Sequence, residues 1–98
     1  MAEYIFLMHD DAVEEVNQDA WEPYLSKLEQ GGFLRDASAI GDGVCARKSG
    51  APASVTEQLT GYVRVNAESV DQAKSLLIGN PVFEAGGTVE IRELPQTD

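Results

Sequence analysis

The only histidine of the chain, His9, stands directly before two carboxylates, Asp10 and Asp11. An imidazole beside a carboxylate can act as a general base held in one tautomer, or supply one ligand to a metal ion. Neighbouring residues of a strand point to opposite faces, so His9 and Asp10 converge on one atom only if the strand has already ended. Zinc takes several Cys or His ligands, and one histidine with one cysteine falls short of a set. No metal is expected. The lone Cys45 lies between Val44 and Ala46 with Arg47 close by, and no Cys-x-x-Cys exists. A reactive thiolate needs a positive, partly exposed setting, and a small packed hydrophobe is the commoner fate. Gly41-x-Gly43 and Gly86-Gly87 lack the Lys-Ser/Thr of a phosphate loop and the six-residue dinucleotide fingerprint. No cofactor is expected.

A second set of residues is spaced for a surface. Between Leu59 and Asn66, Leu59, Gly61, Val63 and Val65 alternate with Thr60, Tyr62, Arg64 and Asn66; further on, Val89 and Ile91 alternate with Glu90 and Arg92. The period of two sends the polar members to one face of a sheet and the apolar members to the other. Two guanidiniums and a phenol on one face suit a small anionic or phenolic ligand. Tyr62, Arg64, Glu90 and Arg92 are therefore ligand-binding candidates, with Trp21 of the first helix beside them. Arg35 and Asp36 on the second strand offer one residue to each face. His9 and Asp36 are the candidates to move a proton, with Arg64 or Arg92 holding substrate charge.

The elements that must position these residues follow from pattern. Tyr4-Ile5-Phe6-Leu7-Met8 is a short apolar run of strand formers ending at His9-Asp10-Asp11. The acidic stretch from Asp10 to Asp19 is expected as a solvated loop, the alternative being that it folds over the mouth of a cleft. Trp21, Tyr24, Leu25 and Leu28 recur at helical spacing, with Asp19 expected as N-cap, Pro23 in the first turn and Gly31-Gly32 at the end. An extended piece from Phe33 to Ile40 breaks at Gly41-Asp42-Gly43 and resumes over Val44–Arg47, followed by a turn-rich loop over 49–56. A strand over 59–66 leads to a second helix, where Ser69-Val70-Asp71-Gln72 fits a capping box and Gly79-Asn80-Pro81 is a stop. A last strand covers 88–94. The order β-α-β-β-α-β is that of the ferredoxin-like α+β sandwich, an antiparallel sheet with both helices on one face. Both parities of the first strand are apolar, so the second face is expected to be covered too. A homodimer packing sheet on sheet would do this, with a polar-lined pocket between the sheets.

Ser49-Gly50-Ala51-Pro52-Ala53 leading into Thr56-Glu57-Gln58-Leu59-Thr60-Gly61-Tyr62-Val63 resembles the "DGPF…KEQLGGFYL" signature of the YCII-related domain family, DGPF subgroup. Asn80-Pro81 with Gly86-Gly87-Thr88-Val89-Glu90-Ile91-Arg92 is similar to that family's "P…GG.vEvRp" ending, and Leu28-Glu29-Gln30-Gly31-Gly32-Phe33-Leu34 to its "L…aGvL" pattern. The resemblance spans nearly the whole chain. It implies a ferredoxin-like fold that assembles as a dimeric α+β barrel. Some members occur beside sigma factors of the extracytoplasmic-function type. A few relatives are enzymes on chlorinated aromatic breakdown products that use a His–Asp pair, with the His in the first helix. Aligned on Gly31-Gly32-Phe33-Leu34, this chain has Trp21 at that place; Ser49 replaces the acid of the signature loop and Pro52 its Phe.

Composition narrows the classes. Seventeen acids against seven bases give a formal charge of −10. This opposes nucleic acid, whose phosphates call for clustered Lys and Arg, and opposes anionic membranes. The first residues have an acid where a signal peptide carries a base, and no run approaches a membrane span. The chain is expected as one YCII-like domain over 1–98, a cytoplasmic homodimer. Its expected role is to bind a small molecule or serve as an accessory regulatory protein, without robust catalysis. The alternative is a cofactor-independent lyase or isomerase acting on a small acidic ring compound. A third reading is a structural dimer that presents a surface to a protein partner.

Overall fold

The computed structural model describes residues 1–96. Strand β1 (Ala2–His9) leads through a 3-10 turn (Gln18–Ala20) into helix α1 (Trp21–Gln30). Strands β2 (Leu34–Ala39) and β3 (Leu59–Ala67) follow, then the short helices α2 (Val70–Ser75) and α3 (Pro81–Glu84), and strand β4 (Val89–Leu94). The chain is thus α+β, a four-stranded antiparallel sheet in the order β2-β3-β1-β4, compatible with the ferredoxin-like arrangement. No helix among the described residues is long and apolar enough to cross a membrane.

The alternation expected from the sequence sets the two sheet faces. Tyr4, Phe6 and Met8 of β1 and Val63, Val65 and Ala67 of β3 are buried beneath the helices, where Tyr24 and Leu28 of α1, Ala73 of α2, and Leu77 and Val82 join them. Phe6, Val63 and Val65 have essentially no exposed surface. Removing a core ring such as Phe6 costs about 3–5 kcal/mol in comparable sites. The other parity, Ile5 and Leu7 with Tyr62, Arg64 and Glu90, is only half-buried. The Tyr24 hydroxyl donates to the Leu76 carbonyl at 2.8 Å, and burial pushes the phenol up to about 12.

Helix ends show where local chemistry matched expectation and where it did not. Gly32 (φ +78°) ends α1 in a Schellman motif, with Gly32 N–H donating to Glu29 O and Phe33 N–H to Leu28 O. Ser69 caps α2 by accepting from Gln72 N–H at 3.1 Å, while the Gln72 side chain accepts from Glu68 N–H at 2.6 Å. Asp19 is not the cap before α1: Asn17 accepts the Asp19 N–H and caps the 3-10 turn that runs straight into the helix. Asn80-Pro81 is a start as well as a stop. The fully buried Asn80 accepts from Val82 and Phe83 N–H, and Pro81 supplies the preset φ of a first helical residue.

Val44–Arg47, expected as strand, has no regular structure and is exposed. No neighbouring strand takes its backbone hydrogen bonds, so nothing fixes it as a ladder. The connection over residues 40–58 is irregular and exposed throughout. The Cα radius of gyration of 14.8 Å exceeds the roughly 13 Å of a compact chain of 100 residues.

Two register shifts matter for the site. Between Leu34 and Asp36 the pairing of β2 with β3 skips Arg35, so Asp36 stands opposite Arg64. Between Met8 and His9 the pairing of β1 with β3 skips Thr60. Such bulges re-aim side chains at the end of a ladder.

Candidate functional site

A cavity of about 420 Å³ opens between the sheet and α1, at the end of β1. It exists because small residues face large ones. Ala37, Ala39 and Gly61 leave the sheet floor low, while Trp21 and Leu25 project from α1 on the same stripe as the core residues Tyr24 and Leu28. Met8 closes the floor against Gly61: a β-carbon placed on Gly61 would lie 3.4 Å from Met8 Cε and 3.0 Å from Ser38 O. Trp21 meets Tyr24 edge to face, with ring centroids 6.1 Å apart.

The roof is the β1–α1 connection, through Ala12, Val16 and Gln18. Expected as a solvated loop, it is largely exposed, and its first half, residues 10–14, is also fastened to the rest of the fold. The Asp11 carboxylate accepts from Thr88 N–H at 2.7 Å and from the Thr88 hydroxyl at 2.6 Å. Thr88 thereby holds Asp11 below the usual carboxylate range. Val13 and Glu14 N–H both donate to Ala85 O, and Asp10 N–H donates to Gln58 O. The glycine pair seats this roof. Gly86 has φ +84°, and a β-carbon there would lie 3.2 Å from Val13; on Gly87 it would collide with Val82 Cγ1 at 2.6 Å.

His9 and Asp10, at the end of β1, complete the lining. His9 pairs with neither adjacent Asp. Its Nε2 meets Glu90 Oε1 at 3.1 Å, and Glu90 Oε2 accepts from Arg92 Nη1 at 3.0 Å. Arg92, and after it His9, hold the Glu90 carboxyl below its ordinary range. Across β1, Arg64 forms a two-pronged pair with Asp36 at 2.6 and 2.7 Å and also donates to Glu3 at 3.0 Å. Arg64 lowers the Asp36 carboxyl, and Asp36 in turn raises the guanidinium. Ile5 pairs with Arg64 on one side and Arg92 on the other, so β1 separates the two arginines.

The seven candidate residues therefore do not share one site. Trp21 lies at the cavity on the helix side. Tyr62, opposite Leu7, contributes to the lining, but the alternation of β3 sends its side chain to the open face. Asp36 with Arg64, and Glu90 with Arg92, form two ion-pair groups on that open face. His9 links the Glu90 group to the cavity end. Neither arginine lines the cavity, and each already carries carboxylate oxygens. The concavity of a single chain is thus on the opposite side of the sheet from the pocket the sequence suggested. Met8, Leu25, Ala37 and Val16 were missed as lining. The available signal was the run of small residues Ala37-Ser38-Ala39 near Gly61, which has to face a helix bearing Trp21. Among the described residues no group of three or more His, Cys, Asp or Glu could share a metal ion. In comparison with known proteins, no family model and no curated protein sequence matches the chain.

Proposed function

We propose that this chain is a YCII-like, cytoplasmic homodimer that binds a small molecule and serves an accessory or regulatory role rather than a robustly catalytic one. The cavity at Trp21 carries the reading. It falls within the roughly 300–1,000 Å³ of small-molecule pockets, and its walls are mostly apolar with several polar groups among them, the usual make-up of such sites. The open sheet face supports the dimer: Ile5 and Leu7 form a half-buried apolar strip flanked by ion pairs, suited to a second sheet in a dimeric α+β barrel. The test is a thermal-shift screen of small ring compounds. A ligand of the native state raises the midpoint by mass action, and Ala37→Leu, which fills the floor, removes the shift. A screen without a hit that Ala37→Leu abolishes overturns the reading.

The His9–Glu90 contact favours a second reading, a cofactor-independent lyase or isomerase in which His9 moves a proton and Glu90 orients its ring. Turnover of a bound ring compound, lost in His9→Asn while binding persists, would establish it.

A further inference from the structure

We infer that the cavity discriminates by charge, taking a ring-bearing organic ammonium in preference to the neutral analogue and rejecting the carboxylate. The inference rests on the binding reading above and adds the ligand's chemistry. No Lys or Arg lines the cavity, and the only acidic residue of the lining is Asp10. Among the described residues the Asp10 carboxylate has no ion-pair partner. Only its backbone N–H is used, in the bond to Gln58 O that fixes the end of β1. Its neighbour Asp11 is spent on Thr88, and Glu90 on Arg92 and His9. Asp10 is thus the one charge at the cavity that is free to meet a ligand.

The apolar part fits the same molecule. Trp21, Leu25 and Met8 offer a flat, polarisable surface to one ring, and an indole face also attracts a cation. A carboxylate here would find no guanidinium and would face Asp10, in a chain of formal charge −10. This reverses the anionic ligand suggested by the two arginines, whose charge is already met on the other face of the sheet.

The single tryptophan of the sequence lines the cavity, so its fluorescence reports occupancy without a label. The probes are phenethylamine, phenylethanol and phenylacetate, one ring bearing three charges, titrated at low salt with excitation beyond phenyl absorption. The expected order is amine, alcohol, acetate, with the amine about fivefold tighter than the acetate, the size expected when an exposed pair turns from attraction to repulsion. Asp10→Asn narrows that gap to less than about twofold, and so does salt, which screens an exposed charge. Acetate binding as tightly as amine overturns the charge inference and leaves the cavity reading standing. A gap that survives Asp10→Asn also overturns it. No response to any probe, in fluorescence or in melting temperature, overturns both. A response that Ala37→Leu leaves intact places the binding elsewhere and likewise overturns both.

Discussion

Three carboxylates, Asp11, Asp36 and Glu90, are held below their ordinary range by Thr88, Arg64 and Arg92 respectively. Their folded values lie below the unfolded ones. The stability each lends is therefore complete above about pH 5, beyond the range in which the unfolded groups ionise, and is lost as pH falls through the folded values. Melting temperature should drop on the acid side, and Asp36→Asn or Asp11→Asn should flatten that drop. An acid limb unchanged in both variants would show that these pairs do not couple to folding. Tyr24 has the opposite sign. Its phenol, raised to about 12, gives a contribution complete below pH 10 and lost as pH rises through the folded value. Tyr24→Phe should cost about 1 kcal/mol at neutral pH, by breaking the bond to Leu76, and should remove the alkaline loss. Paired titrations of the two proteins by denaturant unfolding check both. At this scale the sequence was only partly legible. It gave the polar parity of Tyr62, Arg64, Glu90 and Arg92, because alternation is a local property. It could not give the partners. That His9 would meet Glu90, and neither Asp10 nor Asp11, depends on strand order and register.

Alternation in β3 and β4 and the apolar stripe of α1 carried over into elements because each buries a face that nothing else could cover. The misjudged parts share a cause in cooperation between segments. The cap of α1 moved to Asn17 because a 3-10 turn precedes the helix, and Val44–Arg47 failed as a strand for want of a neighbour. Asp36 reaches the open face only because the ladder skips Arg35; in an unbroken register it would point under the helices. Deleting Arg35 should therefore close the bulge with Asp36 still opposite Arg64 and cost little, whereas deleting Asp36 should set Arg35 against Arg64 and destabilise the fold. Denaturant midpoints of the two variants separate these outcomes. Asn80→Ala should cost about 1 kcal/mol or somewhat more, since the α3 cap is buried and water cannot replace it. Gly87→Ala should cost about 1–3 kcal/mol, because the added β-carbon collides with Val82. The cavity was not legible as such. It is a shortage of side-chain volume, which shows only once β2, β3 and α1 are brought face to face.

The whole molecule is a half-covered sheet with a long, exposed connection between two of its strands. Light scattering at micromolar concentration should give about twice the chain mass, because a second copy is the simplest cover for Ile5 and Leu7. Glu substituted at both positions should yield a monomer whose cavity still binds, since floor and walls lie on the other face. The exposed connection has a consequence for how the chain finds its fold. Residues 40–58 must be brought round as a closed loop before β2 can pair with β3. Loop closure costs about 0.6 kcal/mol for each doubling of length, so a tight four-residue turn here would save roughly 1 kcal/mol of chain entropy. Closing distant segments is also slow. The β2–β3 loop is still the shortest closure between paired strands, since β1 meets β3 and β4 only across longer stretches of chain. Strand β2 should therefore pair with β3 first, and β1 and β4 should join last. Because β1 brings Met8 and leads into the roof, the cavity would acquire its shape only when that distant strand docks, after its floor of Ala37, Ala39 and Gly61 is already in place.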